Sequence, residues 1–221
     1  MGMFDAKVAA NVAVRPSASY LRAGIHNVKF TGVAKGDNPQ YVTLDFTFEA
    51  EDGSVHTERM FEPRSNERQP NRFNTSIEDP SPAEQFMCKL MHIISALNPD
   101  VYQKIQTGAA NFAPGDFDTL ITLVKKILDP KVGTEVQVKL LPNGRFVGFP
   151  GFPARLDKAG NLYLSTSFIG TDLTLSAYEK AAIDKAANAT PTNMSAVAKD
   201  TSELDDLNLT DSSDDDSDLP F

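Results

Sequence analysis

The sequence has no tryptophan, a single cysteine in 221 residues and fewer basic than acidic side chains, 21 against 30. Each shortage excludes something. One cysteine, Cys88, rules out an internal disulfide and a cysteine-built metal site, and its position in the apolar run "AEQFMCKLMHIISAL" is that of a small core residue. No apolar run reaches the ~20 residues that a bilayer-spanning helix needs, and "MGMFDAKVAA" has no signal-peptide pattern, so a cytoplasmic location and no membrane partner are expected. Met1-Gly2 begins a myristoylation pattern that Ala6 breaks, because Ser or Thr is needed there. Without tryptophan, any surface that stacks on flat ligands must be built from the 14 Phe and 5 Tyr.

Catalytic signatures are also lacking. There is no glycine-rich phosphate loop with lysine, no Gly-x-Ser-x-Gly elbow and no His-x-x-x-His pair, and His26, His56 and His92 stand on separate expected elements as surface residues. Asp45 with Glu58, or Asp116 with Asp118, would supply the carboxylates of a metal-dependent nuclease. Asp45 has another reading as an outward residue of an amphipathic strand, and Asp116 and Asp118 have one at a helix start. Asp214–Asp216 lack the glycine-bearing calcium-loop pattern. The expectation is a protein that is not an enzyme, with no catalytic residue, metal or cofactor.

The acidic excess is local. Residues 200–221 carry nine acids and no Lys or Arg, which leaves 21 acids and 21 bases in residues 1–199. The net charge of −9 therefore belongs to the end of the chain, and a neutral body can still carry a basic face.

What is present first is strand periodicity. In "YVTLDFTFEA", Val42, Leu44, Phe46 and Phe48 alternate with Thr43, Asp45, Thr47 and Glu49, the period of a half-buried strand. "GIHNVKFTGV" alternates likewise, and "EDGS" turns the chain into "VHTERMFE", so three strands read as an antiparallel meander. Helical spacing follows over 82–97 and 117–128. Strands resume in "GTEVQVKLLPNGRFVGF", with a hairpin signal at Asn143-Gly144, and in "GNLYLSTSFIG"; a short helix, "SAYEKAAIDKAAN", ends the folded part. Three strands, a helical insertion at about 82–128 and further strands is the element order of an OB-fold-like five-stranded barrel, an order that other small barrels and α+β sandwiches share. The expected organisation is an OB-like domain over 1–188 and a flexible linker with a disordered acidic tail over 189–221.

The tail carries the sharpest motif. "DDDSDLPF" resembles the C-terminal tip of bacterial single-stranded DNA-binding proteins: Leu219, Pro220 and Phe221 match the tip, and Asp214, Asp215 and Asp216 match its acidic part, with Ser217 and Asp218 between. The match covers about ten residues of the 221. The body, lacking that family's tryptophans, looks more like the phage-encoded members. The resemblance implies single-stranded DNA as ligand and recruitment of replication, recombination or repair proteins through the tip. A terminal Phe carboxylate gripped by a cation while its ring fills an apolar pocket is a known mode of capturing chain ends. The same acids would compete with DNA for a basic groove on the body.

Single-strand binding without sequence preference needs cations along the backbone and aromatic faces for the bases. "ERMFEPRSNERQPNRF" offers Arg59, Arg64, Arg68 and Arg72 with Phe61 and Phe73; the alternative is a mixed-charge solvated loop with Phe61 in the core. "GRFVGFPGFPARL" offers Phe146, Phe149 and Phe152 between Arg145 and Arg155, either as an aromatic platform or as an apolar turn capping the barrel. Lys29, Lys35, Tyr41 and Tyr163 are candidates to join either surface. The competing function is a recombination mediator or anti-host interaction protein that mimics the host tip and binds protein through its body.

Overall fold

Alternating burial builds the first sheet. The computed structural model describes residues 19–36, 40–72, 77–144 and 146–188. Its first strands, β1 (Gly24–Lys35), β2 (Thr43–Ala50) and β3 (Val55–Phe61), form the antiparallel meander expected from their periodicity. Phe30, Phe46, Phe48 and Leu44 from β1 and β2 are fully buried, each burial contributing roughly 1.5–3 kcal/mol. An irregularity in register between Phe30 and Gly32 bends β1, which pairs with β2 over Val28–Lys35 and with a later strand over Gly24–Lys29.

A small ribbon, β4 (Gln69–Pro70) with β5 (Glu78–Asp79), leads into the helices. Helix α1 (Pro82–Leu97) starts in a capping box in which Ser81 and Glu84 satisfy each other's backbone amides, and it buries Phe86, Leu90, Ile93, Ile94 and Leu97. Asn98 ends α1 and caps α2 (Pro99–Gln106), a helix not foreseen from the sequence because it is only eight residues long, with a short apolar stripe of Val101, Tyr102 and Ile105 that is half-buried. Asp116 caps α3 (Phe117–Leu128), with Asp118 in its first turn and Lys125 and Lys126 in its last.

The chain returns as β6 (Glu135–Asn143), β7 (Phe146–Gly148), β8 (Ala154–Leu156), β9 (Leu162–Leu164) and β10 (Ile169–Gly170), followed by α4 (Ala177–Asn188). Gly144 takes φ 62° in the β6–β7 connection, where Asn143-Gly144 signalled a turn. The expected strand over 160–170 is two strands in two sheets, β9 pairing with β8 and β10 with β6. Between them Ser165 is tied through its amide and hydroxyl to the Pro153 carbonyl, and Phe168 turns into the core. The chain forms two units that divide between Asp184 and Lys185, within α4.

The fold is mainly β with a helical insertion. Its main sheet has the order β10-β6-β1-β2-β3, with β7 added on β6. The sheet departs from the expected OB-fold-like five-stranded barrel: among the described residues β3 and β10 do not pair, and no closed barrel forms. β10 is only two residues long, and the Phe149 amide, just after β7, donates to the Glu58 carboxylate of β3 at 2.9 Å.

No described helix is long and apolar enough to cross a membrane.

Candidate nucleic-acid interface

The last residues of β3, Arg59 to Phe61, run along a groove of about 1010 Å³. Strand alternation sends His56, Glu58 and Met60 inward and Thr57, Arg59 and Phe61 outward. The register that pairs Thr43 with Phe61 brings Tyr41, just before β2, against Phe61: their rings meet edge to face at 6.1 Å. Three residues beyond Phe61, the Arg64 guanidinium lies 5.8 Å from the centre of the Tyr41 ring.

The other wall comes from α1 and the segment before β8. Pro82, Gln85, Phe86 and Lys89 follow helical spacing and line the groove together. Gln85 donates to the Ala154 carbonyl at 3.0 Å and accepts from its amide at 2.9 Å, as a paired strand would. That pair of hydrogen bonds pins the segment that carries Phe152 at the groove's rim. Tyr41, Phe61 and Phe152 keep 45%, 53% and 73% of their surface exposed.

Beneath the groove is an ionic knot. Glu58 is buried and accepts from Lys89, from His56 at 3.1 Å and from the Phe149 amide. Burial pushes its carboxyl up, but the hydrogen bonds from His56 and Lys89 outweigh that and hold it below the usual carboxylate range. Gly148 belongs to the same packing, since a Cβ there would stand 3.1 Å from a Glu58 oxygen.

The sequence candidates thus separate. Arg59, Phe61, Arg64, Tyr41 and Phe152 meet in one groove. Arg68 is held by Glu84, whose carboxyl pKa the guanidinium lowers, and Arg72 is engaged with its surroundings. Lys29 pairs with Glu135 at 3.5 Å, and Lys35 with Asp118 at 2.6 Å. Arg155 and Tyr163 are cross-strand partners on the exposed β8–β9 ribbon, and Phe146 is exposed on β7. Phe149 is corrected from candidate platform to core: it is 3% exposed and packs on Phe48, Phe168 and His56, leaving no face for a base. Phe73, Arg145 and the tail residues Asp214, Asp215, Asp216, Asp218, Leu219, Pro220 and Phe221 lie outside the described residues.

Two further corrections concern charge. Asp45, expected outward, is 8% exposed, because Arg59 grips both its oxygens and Gly36 lies so close that a Cβ there would stand 3.0 Å from each of them. His56 is buried and His92 half-buried, rather than at the surface; His92 contacts Ser167 at 3.1 Å, and burial lowers its pKa to about 4. Sequence reasoning missed Gln85 and Lys89. The signal for them was two long polar side chains at i and i+4 on an otherwise apolar helix face.

A second cleft of about 570 Å³ is lined by Glu49, Glu51, Glu135 and Lys29 among others. No group of three or more His, Cys, Asp or Glu placed to hold a metal ion occurs among the described residues. No known protein-family model matches the chain, and no curated protein is significantly similar to it.

Proposed function

We propose that the protein binds single-stranded DNA without strong sequence preference during replication or recombination, in the manner of the phage-encoded proteins it resembles, and that the tip ending in Phe221 recruits partner proteins. The observation that carries the reading is the groove beside β3, where Tyr41, Phe61 and Phe152 offer exposed aromatic faces and Arg64 lies over one of them. Stacking of this kind tolerates any base, because every base has a π-face.

The strand order supports the same reading. β10-β6-β1-β2-β3 is the neighbour order of an OB barrel cut open between its third and fifth strands, with the helices inserted between the third and fourth. The face beside the second and third strands is where OB folds take oligonucleotides, and Tyr41, Arg59 and Phe61 stand there.

Anisotropy titration of labelled single-stranded DNA, with duplex DNA and RNA of the same length as comparators, tests the proposal. Single-strand binding that is stronger than duplex binding and weakened by Phe61→Ala is the expected result. A folded protein that ignores every oligonucleotide but binds a replication or recombination protein through its body would make it an interaction protein instead.

A further inference from the structure

The groove's charge is balanced, which is unusual for a surface meant to follow a polyanion. Its charged lining consists of Arg59, Glu62, Arg64 and Lys89. Asp45 holds Arg59 through both carboxylate oxygens, and Glu58 holds Lys89. Asp45, Glu58 and Lys89 retain only 11%, 8% and 11% of their side-chain surface, so a phosphate that drew either cation away would strand a buried carboxylate. Arg64 remains, set against Glu62. Among the described residues the lining and its bound partners therefore sum to no net charge, and Arg64 is the groove cation there without an acid at ion-pair distance.

The aromatic content points the other way. Tyr41, Phe61 and Phe152 are more exposed than bulky apolar groups need be, and Gln85 uses both ends of its amide to position the segment that bears Phe152. A site that immobilises aromatic faces while neutralising its cations is built for flat, uncharged surfaces.

We infer, resting on the single-strand reading above, that this groove recognises the faces of unpaired bases and takes at most about one phosphate, at Arg64, so that a strand without bases is not a ligand. Counterion release follows the number of phosphates neutralised, with a log–log slope of about −0.7 for each on single strands. One phosphate means an affinity that falls by less than about threefold between roughly 50 and 200 mM salt; three phosphates would mean a fall of about 20-fold.

The test uses the full chain and labelled oligothymidylate of about 12 nucleotides, within the site size of one OB fold. Affinity is measured across that salt range, and then in competition with an abasic strand of equal length and charge. The expected result is a shallow slope, no displacement by the abasic strand and a slope near zero for Arg64→Ala. A fall of about sevenfold or more over the range, which requires about two phosphates, or displacement by the abasic strand, overturns the inference while leaving single-strand binding intact. Absence of binding to any strand at any salt overturns the inference together with the function on which it rests.

Discussion

Two clefts open beside the same three strands and hold different chemistry. The one along β3 exposes Tyr41, Phe61 and Phe152 and pairs its buried charges; the one formed by β1, β2 and the turn before β6 exposes Glu49, Glu51 and Glu135 around a single lysine, Lys29. Coulomb repulsion excludes a polyanion from the second, while the first neither attracts nor repels it strongly. These two surfaces thus differ in aromatic exposure more than in positive charge.

Removing the knot under the β3 groove would disturb this contrast most. Glu58→Ala leaves Lys89 and His56 facing each other without their carboxylate and frees the Phe149 amide, and removing one member of such a buried pair costs about 3–5 kcal/mol. Urea denaturation should show that loss. By contrast, Glu135→Ala in the second cleft, whose pair with Lys29 is exposed, should change stability by less than about 0.5 kcal/mol.

A second effect appears in acid. The unfolded chain takes up a proton on His92 near its ordinary value of 6.5, whereas the folded chain resists until about pH 4, so stability is fully present above pH 6.5 and falls between there and pH 4. The Glu58 carboxyl, held below its usual range, adds a further loss as pH drops through its lowered value. Thermal melts of wild type and His92→Gln should differ in slope between pH 6.5 and 4; parallel curves would show that His92 does not resist protonation in the folded chain.

Single-strand affinity should respond next. Phe61→Ala and Tyr41→Ala each remove one face of an edge-to-face pair at an exposed position and should cost roughly 1–3 kcal/mol of binding with little change in melting temperature. Equal affinities for wild type and both variants would move the binding surface out of this groove.

The weakest response belongs to the acidic end. Deleting residues 200–221 removes nine negative charges, but a groove with no net charge gives them little to compete for, so affinity for single strands should change by less than about twofold at physiological salt, where screening acts within about 8 Å. Loss of Phe221 alone should leave DNA binding as it is and weaken a tip-reading partner about tenfold or more, since ~1.4 kcal/mol is a factor of ten and a buried ring is worth roughly 1.5–3 kcal/mol. Pull-down titrations with replication and repair proteins measure the second half of this prediction.

The local elements could be read without the fold. Alternation in "YVTLDFTFEA" suffices for β2, Ser81-Pro82 and Asp116 start their helices, and Asn143-Gly144 turns β6 into β7, because periodicity and capping act over a few residues. The same alternation placed Leu44, Phe46 and Phe48 correctly in the core and Asp45 wrongly outside it, since distant chain decides what covers the outer face of a strand. In the groove, Arg59, Phe61 and Arg64 were legible as one cluster because they lie within six residues of each other. Gln85 and Lys89 were not, because their place beside that cluster exists only once α1 packs along β3.

Spacing and composition along the chain were enough for most of the strands, the starts of α1 and α3 and the concentration of negative charge after residue 199. Packing, by contrast, sorted Phe146, Phe149 and Phe152 between solvent and core, because they lie three apart in one irregular segment with no periodicity to distinguish them. It also committed Arg59 and Lys89 to Asp45 and Glu58, since those partners lie 14 and 31 residues away and meet only when β2, β3 and α1 come together. A basic residue in a sequence is a charge; whether it is available to a ligand depends on the acid that folding brings beside it.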